Sequence, residues 1–286
     1  MSDSLNIIKK RINSVNSLVK ITNSLKMYSI ATKQRISKNL LQLQEYYSRI
    51  YSIYNSTVPF VSNLIKNTDS KKLIIVFTSN MGMCGNYNNN VFKILDKLLK
   101  ENNDFYIFGK RGFKYINKYS ETVNIIQYSS DDLSLQKNKD LLNSIIQGIF
   151  HKYYKNTNYS NIILVYTSFI DNNTFKANTI ELKPLNINIG SIQNDSLQSI
   201  NTNTITINDD NKIEFINNIQ YICIYSIFYA SYIESTICEN ASRINTMSTA
   251  KKNCEELEKE LSTFFNKIRQ ENITQSILEL SGGNNE

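Results

Sequence analysis

From Asp210 to Ser281 the chain contains neither proline nor glycine, so nothing in this stretch would stop a helix. Asn208, Asp209 and Asp210 precede it, supplying an N-cap and a favourable charge at a helix start. Gly282 and Gly283 follow it as a C-terminal stop. Ile233, Ile237, Ala241 and Ile244, then Cys254, Leu257, Leu261, Phe264 and Ile268, mark its expected apolar face. A helix of this extent would be on the order of 105 Å long, and it needs another element to cover that face.

The other end of the chain supplies a second helix. No proline or glycine occurs before Pro59, and apolar residues step by threes and fours. They are Ile8, Ile12, Val15 and Val19, then Ile36, Leu40, Leu43, Tyr47, Ile50 and Tyr54. That narrow seam is of the coiled-coil kind, on a helix of roughly 80 Å.

Between the helices the period changes. "KLIIVFTS", "DFYIFG", "VNIIQYS" and "NIILVYTSF" are short β-branched and aromatic runs, as in buried parallel strands, and "TFKANTIEL" reads as one more strand. Helical patterns over Asn88–Glu101, Arg111–Tyr119 and Asp132–Tyr154 alternate with them. The expected fold is α/β: a Rossmann-like sheet domain over 60–208, inserted between coiled-coil helices at 1–59 and 209–286.

With a compact insert between them the two helices must run antiparallel, paired positions adding to about 270. Lys9, Lys10 and Arg11 would then face Glu255, Glu256, Glu258 and Glu260, and the last turns, 268–281, would project alone. The expectation is a long two-helix rod with an α/β foot.

Charge narrows the choice of partners. The net charge is +7, and no carboxylate lies between Asp3 and Glu45, where Lys9, Lys10, Arg11, Lys20, Lys26, Lys33, Arg35 and Lys38 stand. Such a face is either solvated or meets an acidic partner. No nucleic-acid motif accompanies it, and acidic protein loops explain it equally well.

Catalytic groups are hard to find. "TSNMGMCGNYNNN", 78–90, joins a strand to a helix, where α/β folds place phosphate loops. It is neither a P-loop nor a dinucleotide fingerprint, and Gly82 and Gly85 serve a tight turn more simply. Cys84 has no identifiable base, and His151, the single histidine, reads as a surface residue. "GKRG", 109–112, reads as a basic surface turn. The four scattered cysteines suggest neither a zinc site nor a disulfide framework, and fit a reducing compartment. No cofactor is expected, and the longest apolar stretch, "YICIYSIFYASYI", is too short and polar to span a bilayer. With amphipathicity beginning by Ile8, no signal peptide is expected.

"IKKRINSVNSLVKITNSLKMYSIATKQR" (8–35) resembles the N-terminal helix of the ATP synthase gamma subunit family. "FTSNMGMCGNYNNNVFK" resembles its sheet-domain turn, "IFGKRGFKY" and "LVYTSF" its next strand-turn elements. "ASRINTMSTAKKNCEELEKEL" and "FNKIRQENITQSILELSGG" resemble its C-terminal helix and terminal signature. Asn80 and Met81 stand where the family usually has Asp and a basic residue, and Asn86 where Gly is frequent. Leu25 replaces a usual Met, and Ser276 a common Glu.

The resemblance implies a non-catalytic rotor subunit that carries rotation of a membrane c-ring to three alpha and three beta subunits, driving ATP synthesis. The foot would sit against the epsilon subunit and the c-ring, at the cytoplasmic face of a bacterial cell membrane or at an organelle inner membrane. Contact with the membrane comes only through the complex, and no nucleic acid is expected. By the same resemblance Lys20, Thr22, Leu25, Lys26 and Arg243 would contact the ring, and Arg269, Gln270 and Thr274 would lie in the tip held by the upper bearing. Simple helix packing would account for Thr22 and Thr274 as well. Two other readings fit the residues, a free-standing basic coiled-coil adaptor and a nucleotide-binding α/β protein using the Gly82–Gly85 turn.

Overall fold

The computed structural model describes residues 2–38, 45–46, 49–50, 71–99, 101, 103–119, 123–130, 139–154, 159–170, 174–183 and 212–282. Along the chain these form α1 (Ser2–Ser37), β1 (Lys71–Phe77), α2 (Tyr87–Leu98), β2 (Asp104–Phe108), α3 (Lys110–Ile116), β3 (Asn124–Ser129), α4 (Lys139–Gly148), β4 (Tyr159–Phe169), β5 (Phe175–Lys183) and α5 (Lys212–Gly282). A 3-10 turn over Asn117–Tyr119 follows α3, and a π-helical turn over Ile149–Tyr154 follows α4. Leu40, Leu43, Tyr47 and Tyr54 of the expected N-terminal seam, the Pro59 stop, the caps at Asn208–Asp210 and the boundaries at 59/60 and 208/209 lie outside the described residues.

Two compact units emerge, one from Met1–Ala31 with Arg243–Glu286, the other from Thr32–Ser242. The larger unit is built on a five-stranded sheet of order β3-β2-β1-β4-β5. The first four strands are parallel, and β5 returns antiparallel on β4. Period-two alternation sorts their side chains between two cores. Leu73, Ile75, Phe77 and Tyr106 point to one face, where α4 and the first half of α5 lie on them through Ile146, Ile224 and Phe228. Ile74, Val76, Phe105 and Ile107 point to the other, covered by α2 and α3 through Val91, Leu95 and Ile116. Burial on both faces explains why β1 and β2 read as unbroken apolar runs. The third run, "VNIIQYS", buries Val123 at its start and then forms an edge strand, Asn124–Ser129, in which no residue is fully buried, since the strand pairs on one side only, with β2.

Backbone crowding fixes the joint between β1 and α3. Thr78 Oγ1 donates to the Phe108 carbonyl at 2.8 Å and accepts the Gly112 N–H at 2.9 Å. Gly109 has φ +102°, and a Cβ there would collide with the Thr78 carbonyl. One at Gly112 would come within 2.6 Å of Thr78 Oγ1. The "GKRG" turn is therefore shaped by packing against β1, beyond its expected role as surface.

In the smaller unit α1 is buried at every seventh position, Ile8, Val15, Thr22 and Ser29, with Ile12, Val19 and Lys26 half-buried between them. On α5 the inward positions are Met247, then Lys251, Cys254, Glu258, Leu261, Phe265, Ile268 and Asn272, in steps of four and three. Leu257 and Phe264, expected on the apolar face, are 45% and 52% exposed. They lie one position before Glu258 and Phe265, which take their inward places, while Cys254, Leu261 and Ile268 of the expected face do turn inward. Lys251 Nζ donates to Asn23 Oδ1 at 3.4 Å, within about one helical turn of the expected pairing. Glu255 and Glu256 pair instead with Lys251 and Lys252 on their own helix.

The Gly109→Ala variant is expected to lose about 3 kcal/mol or more of stability, as a left-handed backbone and a blocked Cβ act together. Urea unfolding of the full chain measures it, and a loss under about 1 kcal/mol would contradict the crowding argument. Glu234 offers a pH test. Burial pushes its carboxyl above the usual range, partly opposed by the Phe169 N–H that donates to it at 2.9 Å. A raised folded pKa gives stability that is complete below the unfolded value and lost as pH rises through the folded one. Glu234→Gln should therefore gain stability relative to the parent at about pH 7, and the gain should vanish near pH 4. An equal difference at both pH values would refute it.

Candidate partner-binding surface

The outer side of α1 carries apolar and cationic residues with no carboxylate among them. Leu18, Ile21, Met27 and Tyr28 are each at least half exposed, and Lys9, Lys10, Arg11 and Lys20 lie exposed on the same helix. Leu18, Ile21, Leu25 and Tyr28 follow a three-four-three step one position ahead of the buried stripe, and Leu25 is half-buried. On α5 Leu257 and Phe264, then Ile273, Ile277 and Leu278, are similarly bare. Covering these side chains would lower the free energy, so the unit presents an amphipathic, positively charged surface suited to acidic and apolar protein segments.

The expected contact residues divide into outer and inner sets. Lys20, Arg269, Gln270 and Thr274 are exposed. Leu25 and Lys26 are half-buried. Thr22 is buried, and its hydroxyl donates within its own helix to the Leu18 and Val19 carbonyls, both at 3.0 Å. Thr274 likewise donates to the Gln270 carbonyl at 2.9 Å. Both bonds are what helix packing alone would produce. Arg243, a ring contact by the family resemblance, is only 2% exposed.

The turn after β1 is held from three sides. Asn88, on the first turn of α2, accepts the Ser79 N–H at 3.1 Å through Oδ1 and donates through Nδ2 to Ser79 Oγ at 2.7 Å. Asn80 donates to the Ser130 carbonyl at 2.9 Å and accepts the Lys110 N–H at 3.2 Å, joining the ends of three strand-loop units. Ser242 Oγ of α5 donates to the Cys84 carbonyl at 2.6 Å. Sequence reasoning missed these roles, because an asparagine in an Asn-rich run carries no sign of which amides are buried.

Doubly wound sheets bind ligands in the crevice where strand order reverses, here beyond β1 and β4. That crevice is filled. Ser235 Oγ of α5 accepts the Thr167 N–H at 3.0 Å, and the Cys238 thiol lies 3.6 Å from the Thr167 carbonyl. Cys84, Tyr87 and Cys238 close it as one buried cluster. Burial pushes the Cys238 thiol well above the ordinary range, which disfavours the thiolate. His151 is exposed, its ring edge-to-face with Phe150. Among the described residues no group of acidic, cysteine and histidine side chains could hold a metal ion, and no helix is long and apolar enough to cross a membrane.

Residues 4–285 match the family model described as ATP synthase. The chain is 32% identical to the ATP synthase gamma chain of Malacoplasma penetrans, over 98% of each sequence. It is 33% identical to that of Mycoplasma mycoides subsp. mycoides, over 97% of each. Among solved structures the fold matches a chain of the Euglena gracilis mitochondrial ATP synthase OSCP/F1/c-ring assembly, with TM-score 0.68 at 15% identity, covering 99% of this chain and 94% of that one. A chain of the rotor from the same source gives 0.64 at 16%, covering 96% and 100%.

The bonds of Asn80 allow a test of the turn. An aspartate there keeps the acceptor for Lys110 but sets a negative oxygen against the Ser130 carbonyl, with apolar Met81 beside it in the sequence. Asn80→Asp should cost about 1–2 kcal/mol at neutral pH, and part of that should return once the carboxyl is protonated. Chemical unfolding at both pH values checks it, and a neutral substitution would show that the Ser130 bond contributes nothing.

Proposed function

The chain belongs to the ATP synthase gamma-chain family, and from that membership we propose its working parts and their partners. It is the non-catalytic central-stalk subunit of the rotary ATP synthase, and ATP chemistry takes place on the beta subunits. The observation carrying this function is the end-to-end match to gamma chains, at 32–33% identity with no large segment left over.

The finer reading is a division of labour among 1–59, 60–208 and 209–286. The two terminal segments pair as an antiparallel coiled coil that turns inside a ring of three alpha and three beta subunits. The middle segment forms the foot against the epsilon subunit and the c-ring. Seven-residue stepping of burial on α1, the four-three stepping on α5 and the Asn23–Lys251 bond support the pairing. Torque then passes along a paired shaft, since a single helix in water would have nothing on which to pack its apolar face.

Lys20, Lys26 and Arg269, with Leu25 and Gln270, meet acidic and apolar segments of the ring. Thr22 and Arg243 hold the shaft from within, and Thr274 lies in the tip. The bare residues Leu18, Ile21, Leu257 and Phe264 give that contact its apolar component. The complex works at the cytoplasmic face of the cell membrane, in keeping with bacterial relatives.

Reconstitution tests the reading. Mixed with alpha and beta subunits of its own organism, the full chain should form a complex holding one copy per three alpha–beta pairs, with ATPase turnover dependent on the chain. Lys20→Glu with Lys26→Glu should weaken assembly or turnover about tenfold, as reversed charges meet acidic loops. No association with folded alpha and beta subunits would sink the rotor reading, and an unaffected double variant would sink the role of the basic face.

A further inference from the structure

A second concavity lies on the other side of the Gly82–Gly85 turn, between α2 and α3, with Cys84 common to it and to the filled crevice. Its volume is about 400 Å³, within the range of small-molecule sites. The Gly82–Gly85 turn forms one side. Arg111, Lys114 and Lys118 line the other, and no carboxylate lines it. Their spacing of three and four residues puts the three cations on one face of α3 and the turn that follows it. Phe92 of α2 and Tyr115 of α3 stack at 3.9 Å with rings 2° from parallel, giving a flat wall beside the charges.

Among the described residues, neither Arg111 nor Lys114 has an ion pair or a side-chain hydrogen bond, and Lys118 rests 6.0 Å above the Tyr115 ring. Gly82 lets the Arg111 guanidinium lie against the turn, for a Cβ there would strike its terminal nitrogen. The Arg111 backbone is tied to the turn too, its N–H donating to the Ser79 carbonyl at 3.1 Å. The turn itself is rigid. Asn88 Nδ2 donates to Cys84 Sγ at 3.2 Å, Ser242 holds the Cys84 carbonyl, and Met83 is kept at φ +62°, a conformation that side chains other than glycine seldom adopt.

We propose that this cleft is a binding site for a phosphate-bearing small molecule of nucleotide size. The guanidinium fork takes two phosphate oxygens, Lys114 and Lys118 neutralise the remaining charge, and the Phe92–Tyr115 wall accommodates a flat base. The fingerprint motifs fail to describe it because the charges come from α3, some thirty residues beyond the glycines, and from side chains rather than a lysine within the loop. The site is argued from residues of the sheet unit alone, and binding to the isolated chain tests it whether or not the rotor contacts form.

Titration calorimetry on the full chain, with pyrophosphate and with ADP, tests the assignment. Saturable binding of one ligand per chain is expected, weakening steeply with added salt. Arg111→Ala with Lys114→Ala should weaken it about tenfold or more, while Lys72→Ala with Lys252→Ala, which removes as much charge elsewhere, should change it less than about twofold. Gly82→Val, which displaces the guanidinium, should weaken it without removing a charge. Tighter binding of ADP than of pyrophosphate identifies a nucleotide, and equal binding identifies the phosphate alone as the recognised group. The proposal falls if neither probe saturates by millimolar concentration. It falls equally if the two double variants lose affinity alike, or if a hexaglutamate peptide binds as well as either phosphate.

Discussion

The sheet unit depends on a helix that ends its strands. α5 lies across the C-terminal side of β1 and β4 and satisfies main-chain groups that the strands leave open. Ser235 receives the Thr167 N–H, Glu234 receives the Phe169 N–H, and Ser242 donates to the Cys84 carbonyl. Three side chains on two turns of one helix thus take the place a ligand holds in other doubly wound folds. Buried backbone polar groups need partners, so this docking is both a structural requirement and the reason the crevice is unavailable to substrate. An α/β domain with its crevice filled by its own chain suits a subunit whose chemistry is done elsewhere.

The smaller unit is held in a looser way. Ile8, Ile12, Val15 and Val19 give α1 an apolar stripe at its start, but the same stripe continues through Thr22, Lys26 and Ser29. Ser29 Oγ is buried without a hydrogen-bond partner. Each substitution of a polar group for an apolar one at such a position weakens a seam while restricting the registers it tolerates. On α5 the inward set likewise mixes Met247, Leu261, Phe265 and Ile268 with Lys251, Glu258 and Asn272. A seam so diluted gains stability from whatever covers its outside, where Leu18, Ile21, Leu257 and Phe264 remain in water.

Legibility followed the strength of the period. β1, β2 and β4 were readable because strands buried on both faces are apolar without interruption, and α5 because seventy residues pass without a helix breaker. β3 was recognised as a strand, but its place at the edge depends on sheet order, which no local pattern encodes. Leu257 and Phe264 were assigned to the apolar face because adjacent stripes of a long helix both contain apolar residues. Only the partner helix decides which one turns inward. The resemblance assigns Arg243 to the ring, and its burial is a tertiary property that one residue type cannot reveal. Lys110 and Arg111 read from the sequence as a basic surface turn, while Lys114 and Lys118 join Arg111 at a cleft that exists only once α2 and α3 share a face of the sheet.

The polar joints around the turn show how much of the fold rests on groups whose identity the sequence leaves ambiguous. Asn80 uses both ends of its amide, donating to Ser130 and accepting from Lys110, a combination a carboxylate cannot make. The gamma-chain family usually has aspartate and a basic residue here, and this chain has Asn80 with Met81. The two departures are mutually consistent: without a neighbouring cation an aspartate would lack charge compensation, whereas a neutral amide requires none. Arg111 and Lys114 follow on α3, whose first residue, Lys110, is held by Asn80 through its backbone, so a positive surface lies beside a joint made of neutral hydrogen bonds.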